Sequence, residues 1–152
     1  MTVPPSPSGY SGTPLPRKLG IKAEQRAVLF GAPAGLSVGP LPAGASVARV
    51  PVSRADSLAP GDVTVIFCPN RATLVTAFGP LKSKLDWSAS LWVAWPKKAA
   101  KLDTDLDESF VREHGLACGL VDVKVCAVDQ TWSGLKFVYR VADRANVSRT
   151  QA

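Results

Sequence analysis

Short apolar runs separated by turn residues set the rhythm of the chain. Residues 27–30 (AVLF) are uninterrupted and end at GAPAG, a pattern that predicts a strand running into a tight turn. Residues 46–52 (SVARVPV) alternate apolar and polar positions, which predicts a second strand. Pro51 has no amide hydrogen for a ladder, so that strand belongs toward an edge. A third strand is predicted over 62–68 (DVTVIFC), between Pro60-Gly61 and Pro69-Asn70. Beyond Asn70, a good helix N-cap, the spacing of Leu74, Phe78, Leu81 and Leu85 lines one helical face, while Gly79-Pro80 predicts a kink or two short helices. Residues 90–95 follow as a fourth strand. The unbroken run of Leu91 to Trp95 predicts burial on both faces, as in the middle of a parallel sheet.

The second half changes period twice. Asp105 with Glu108 three residues on has the form of a capping box, and Leu106, Phe110 and Ala117 make an apolar stripe on a helix that Gly119 ends. Residues 121–128 (VDVKVCAV) then alternate, with Val121, Val123, Val125 and Ala127 on one face and Asp122, Lys124, Cys126 and Val128 on the other. A connector over 129–134 (DQTWSG) leads to a returning strand over 135–141, completing a hairpin. This order predicts an α/β fold, a three-layer sandwich around a mostly parallel sheet. It looks like a shortened Rossmann-like fold of the methyltransferase type, whose sheet also ends in an antiparallel strand. The Pro- and Ser-rich residues 1–8 and the polar residues 143–152 hold too few apolar side chains to offset the entropy of ordering, so a single domain is expected over 9–142 with a loose tail at each end.

Composition narrows the classes. With 152 residues, 46% apolar and 20% charged, the chain suits one soluble core. No run approaches the ~20 apolar residues of a membrane helix, and the first residues lack the charged-then-apolar order of a secretory leader, so a cytoplasmic protein is expected. Cys68, Cys118 and Cys126 are odd in number and sit among apolar residues, which points to reduced thiols in a core. His114 is the single histidine and there is no CxxC pair, so neither a metal nor an organic cofactor is predicted. The net charge of +6 permits weak, salt-sensitive attraction to nucleic acid.

In a parallel sheet one edge collects the carboxyl ends of the strands, where open α/β folds bind ligands. That edge gathers the Gly31–Gly35 turn, Pro69-Asn70, Pro96-Lys97-Lys98 and the connector with Asp129, Thr131, Trp132 and Ser133. Lys97 and Lys98 are candidate cations for an anionic ligand, and Trp95 or Trp132 a candidate apolar wall. Equally, paired lysines after a strand mark a solvated loop, and Trp92 and Trp95 read as core. Ser11 and Thr13, in SGTP, are further candidates for an anion, with Arg17 and Lys18 close behind. The same stretch also reads as a turn opening a short helix that packs Leu15, Leu19 and Ile21 on the sheet.

Familiar catalytic patterns are absent or altered. The first loop is GAPAG rather than GxGxG, and the second strand runs into Pro51-Val52-Ser53-Arg54 rather than an acidic residue, which argues against S-adenosylmethionine. No GxxxxGK[ST] occurs. Cys68 and His114 fall on elements that do not bring them together, and Ser133 has no histidine beside it in the sequence. His114, four residues after Phe110, reads as a half-buried core histidine.

Three stretches, GYSGTPL with KLGIK, LWVAWPKK, and GLVDVKVCAVDQTWSGLKFVYR, together resemble a family of short bacterial proteins, common in actinobacteria, catalogued as a domain of unknown function. The resemblance spans about residues 9 to 141 and implies a compact cytoplasmic single domain, with no catalytic residues to carry over. The expectation is therefore a non-enzymatic binding or regulatory module whose ligand site uses Lys97, Lys98, Asp129, Trp132 and Ser133, with Ser11 and Thr13. The partner is an anionic small molecule or a protein, and the chain is a monomer or a homodimer paired through the hairpin edge. The rival expectations are a small transferase with an atypical S-adenosylmethionine or nucleotide site, and a weak nucleic-acid binder.

Overall fold

The computed structural model describes residues 13–146, apart from the side chains of residues 145 and 146. Ser11, the N-terminal tail over 1–8 and the last six residues lie outside the described residues. Six strands form one sheet: β1 (Arg26–Phe30), β2 (Ser46–Val50), β3 (Val63–Phe67), β4 (Ser90–Pro96), β5 (Leu120–Ala127) and β6 (Trp132–Tyr139), in the spatial order β2-β1-β3-β4-β6-β5. The first four are mutually parallel, and β6 runs antiparallel to both β4 and β5. A mixed α/β fold with a mostly parallel sheet is thus as the apolar pattern predicts. Every residue of β4 is buried, as its unbroken apolar run requires, and β2 with Pro51 behind it is an edge strand.

The two faces are covered unequally. Helices α2 (Arg71–Ser83) and α3 (Glu108–Ala117) cover one, over a core that includes Phe30, Ile66, Phe78, Leu91, Trp95 and Phe137. The other face meets the five-residue α1 (Leu15–Leu19) and the loop over 31–45, which bury Leu15, Leu19, Ile21 and Leu36 against Leu29, Val65, Phe67 and Trp92. That layer is mostly loop, because the parallel link from β1 to β2 contains no helix.

Four local expectations are corrected by tertiary packing. α2 is one helix through Gly79-Pro80 rather than two short ones, held by the buried Leu74, Ala77, Phe78 and Leu81, and Ser83 Oγ donates to the Pro80 carbonyl at 2.8 Å. α3 is capped by Asp107, whose carboxylate accepts the Phe110 N–H at 2.8 Å. Asp105 instead accepts the Arg71 N–H at the start of α2, so it belongs to the neighbouring helix. The fully buried residues of α3 are Val111 and Gly115, where a Cβ would overlap the Phe137 ring; of the expected stripe, Leu106 is buried and Phe110 packs half-buried on the same core, but Ala117 is exposed. β5 carries a register shift between Asp122 and Lys124, which breaks the expected alternation and leaves Val123 and Val125 exposed on the sheet edge. At the far end, Val141–Asn146 forms a short 3-10 helix, so ordered chain continues past residue 142.

Gly79 is exposed, and a Cβ there would meet nothing within 4 Å outside its chain neighbours and its own helix. Because Pro80 follows, its Cδ crowds a Cβ on the preceding helical residue, so Gly79→Ala is expected to lose the ~0.5–1 kcal/mol that alanine's helix preference would otherwise add, read as a urea midpoint that does not rise.

Candidate functional site

The carboxyl end of β4 meets the start of β6 at the rim where the parallel strands finish. Trp95 pairs with Ser133 and Pro96 with Trp132, and the Lys97 N–H donates to the Thr131 carbonyl at 2.8 Å. The loop after Trp95 and the connector after Val128 therefore open on one side of the molecule. What the sequence placed in a loop is partly strand: β6 begins at Trp132, so Trp132 and Ser133 are neighbours on a pleated strand and point to opposite faces.

That alternation divides the predicted residues between two clefts. Lys97, Lys98 and Ser133 line a cleft of about 330 Å³ with Trp95, on the α3 side, together with Asp107, Glu108 and Ser109 from the start of α3. Its two acidic residues already have partners, Asp107 as the helix cap and Glu108 in an ion pair with Arg112 at 2.6 Å. Asp129 lines a second cleft of about 610 Å³ on the α1 side, with Val128, Thr131, Pro14 and Leu15. Thr13 lies half-buried just before that Pro14, which precedes α1. Trp132 packs edge-on against Phe67, centroids 5.3 Å apart, and belongs to the α1-side core. Trp92 and Trp95 are buried, as expected for core.

Asp129 has a definite structural task. Its Oδ1 accepts the N–H groups of Thr131 and Trp132, both at 2.8 Å, which closes the β5–β6 turn as an Asx-type turn. Lys98 is exposed and begins a single 3-10 turn, Lys98–Ala100. Lys97 differs from both. Its Nζ is buried and finds no hydrogen-bond partner among the described residues. A buried ammonium without a partner gives up hydration for nothing in return, so such groups stand out in a folded chain.

Lys18 stands in the sequence, with Arg17, only behind the Ser11 and Thr13 candidates, with no expectation of its burial. It is only 5% exposed, and its Nζ donates to the Ala127 carbonyl at 2.6 Å. A signal was available: Leu15, Lys18 and Leu19 share one face of α1 by their three- and four-residue spacing. Lys124, from β5, donates to the Lys18 carbonyl at 3.2 Å, and the Trp92 indole donates to that of Leu19 at 3.2 Å, so the end of α1 is bonded to the sheet. Burial holds the Lys18 ammonium below its ordinary pKa. Cys126 and Asp129 oppose that shift, and the charges of Lys97 and Lys124 add to it. Burial pushes the Cys126 thiol up, against the pull of Lys18, Lys124 and Lys97. The charge of Lys97 thus acts on both Lys18 and Cys126.

At the place where open α/β sheets most often hold a cofactor, the first loop is crowded by Val52. Strand order reverses between β1 and β3. There Gly31, at φ +75°, lies under Val52: a Cβ on it would be 3.2 Å from the Val52 Cβ and 3.4 Å from the Phe67 carbonyl oxygen. Cys68, next along, is fully buried, and desolvation pushes its thiol up to about 12, so it is no thiolate at neutral pH. His114 is half-buried against Phe78, with its Nε2 3.7 Å from Cys118 Sγ. Burial lowers the pKa of that imidazole and raises that of the Cys118 thiol, which leaves both neutral rather than an ion pair. Among the described residues no group of three or more His, Cys, Asp or Glu side chains converges to hold a metal ion, and no helix is long and apolar enough to cross a membrane. Neither protein-family models nor curated proteins match the chain.

Proposed function

We propose that this chain is a non-catalytic binding module, built on a shortened Rossmann-like scaffold of the methyltransferase type and belonging to the actinobacterial family that its three motifs resemble. Its ligand is a small anion held at the β4–β6 rim. The observation that carries this reading is the buried, unpartnered Nζ of Lys97 at the carboxyl end of β4. An anion bound there would supply the missing hydrogen-bond acceptor and offset the desolvation of the ammonium. The scaffold part is supported by the strand order, four parallel strands followed by an antiparallel strand lying inside the final pair. The non-catalytic part is supported by the crowding of the Gly31 turn by Val52 and by the high pKa of the Cys68 thiol.

Calorimetric titration with a panel of nucleotides, sugar phosphates and carboxylates tests it. At least one compound is expected to bind the natural protein, with affinity reduced about tenfold or more in the Lys97→Ala/Lys98→Ala double variant, the loss of one charge-assisted hydrogen bond. Equal binding by both proteins across the panel would remove the rim lysines from any ligand site.

A further inference from the structure

The cleft beside Trp95 is lined by charges of both signs. Lys97 and Lys98 come from the chain leaving β4, and Asp107 and Glu108 from the start of α3. They share one cleft of about 330 Å³, yet neither lysine forms an ion pair with either carboxylate. Among the described residues the ion pairs are those of Arg112 with Glu108 and with Asp122. The bonds that Asp107 and Glu108 do make engage one oxygen of each. Asp107 caps α3 through Oδ1 and Glu108 meets Arg112 through Oε2, so Asp107 Oδ2 and Glu108 Oε1 accept no hydrogen bond within the described residues. Lys97 Nζ, in turn, has no acceptor.

The charges around the cleft also balance. Lys97, Lys98 and Arg112 stand against Asp107, Glu108 and Asp122, so the wall as a whole calls for no net charge in a ligand. A simple anion would satisfy the lysines while bringing its charge toward Asp107 and Glu108. A ligand with one group of each sign would supply an acceptor to the lysines and a donor to the carboxylates, and leave the balance unchanged. Resting on the reading above, we propose that the anionic group held at the rim belongs to a zwitterion of amino-acid type. Its carboxylate bonds to the rim lysines, and its ammonium to the open oxygens of Asp107 and Glu108. Trp95 and Leu106, both buried, add apolar wall for the methylenes between the two groups.

The probes are the straight-chain ω-amino acids from glycine to ω-aminohexanoate, each beside the carboxylic acid and the amine of the same chain length, titrated into the labelled protein and followed by amide NMR shifts. One member is expected to bind about tenfold or more tightly than its acid or its amine, the worth of one further charge-assisted contact. Affinity should pass through a maximum along the series, because the cleft fixes the separation of its charges. Asp107→Asn/Glu108→Gln tests the acidic wall. Asparagine still caps a helix, so α3 should hold, and the best amino acid should fall to within about twofold of its acid. An amino acid bound no more tightly than its acid, with both lost in Lys97→Ala/Lys98→Ala, overturns the zwitterion and leaves the anion site. An advantage that survives Asp107→Asn/Glu108→Gln overturns it too, since the ammonium is then held elsewhere. If no member of the series binds, the inference falls alone, and the anion panel still decides the reading above. If Lys97→Ala/Lys98→Ala weakens neither an amino acid nor its acid, that reading falls and the zwitterion with it.

Discussion

Trp92→Ala is expected to lower the stability of the protein by ~3–5 kcal/mol, the range for emptying an aromatic site in a well-packed core. The side chain is fully buried in the middle of β4, between the sheet and α1. Gly134 on the neighbouring β6 leaves room for it: a Cβ there would lie 3.2 Å from the Trp92 ring. The indole N–H also donates to the Leu19 carbonyl, near the C-terminal end of α1, so the substitution removes packing and leaves a buried acceptor without its donor. Trp92→Phe separates these two losses. It keeps most of the apolar volume and deletes the hydrogen bond, and should cost ~1–2 kcal/mol. Chemical denaturation measures both, and a cost below ~1 kcal/mol for Trp92→Ala would show that α1 is not anchored through this ring. Because α1 carries Lys18, the two variants should also differ at the rim: Trp92→Phe keeps anion binding, whereas Trp92→Ala weakens it in proportion to the loosening of α1.

The parts of this fold that were legible in the sequence are those where one local rule acts alone. The doubly buried β4 follows from LWVAWP having no polar position, and the edge placement of β2 follows from a proline without a donor. The shared rim of the loops after Trp95 and Val128 needed only the parallel run of β1, β3 and β4 with β6 returning beside it. The division of the site was hidden because DQTWSG has the composition of a turn. Asp129 closes that turn early, by accepting the N–H groups of Thr131 and Trp132, so that the strand starts at Trp132. Once Trp132 and Ser133 are strand residues, pleating sends one to Phe67 and the other to the cleft beside Trp95. Gly115 and Lys18 were hidden for a different reason. A glycine in a helix and a lysine in a basic pair read as surface, and only the approach of Phe137 from β6 and of Ala127 from β5 makes them interior. Contacts between residues far apart in sequence decide both.

Lys97→Met is expected to do the opposite of Trp92→Ala and stabilise the ligand-free protein by ~1–3 kcal/mol, the cost of leaving a buried polar group unsatisfied. Methionine matches the length of most of the lysine stem and fills the same space without a charge to desolvate. The substitution also removes repulsion between Lys97 and Lys18, which contributes to lowering the Lys18 pKa, so in Lys97→Met the Lys18 ammonium should titrate at higher pH than in the natural protein. The sign of the pH effect follows. The Lys18 pKa in the folded state lies below its unfolded value, so folding loses stability as pH falls through the unfolded lysine range toward the depressed folded value. In Lys97→Met that window narrows, and stability should fall less between alkaline and neutral pH. Thermal melts with and without phosphate complete the test. A ligand that binds only the folded state stabilises it by mass action, so phosphate should raise the midpoint of the natural protein and leave that of Lys97→Met unchanged, closing the gap between them. A natural protein more stable than Lys97→Met in the absence of any anion would mean that the Lys97 ammonium is already satisfied within the fold. It would then be a structural cation, and the rim would have no unfilled place for a ligand.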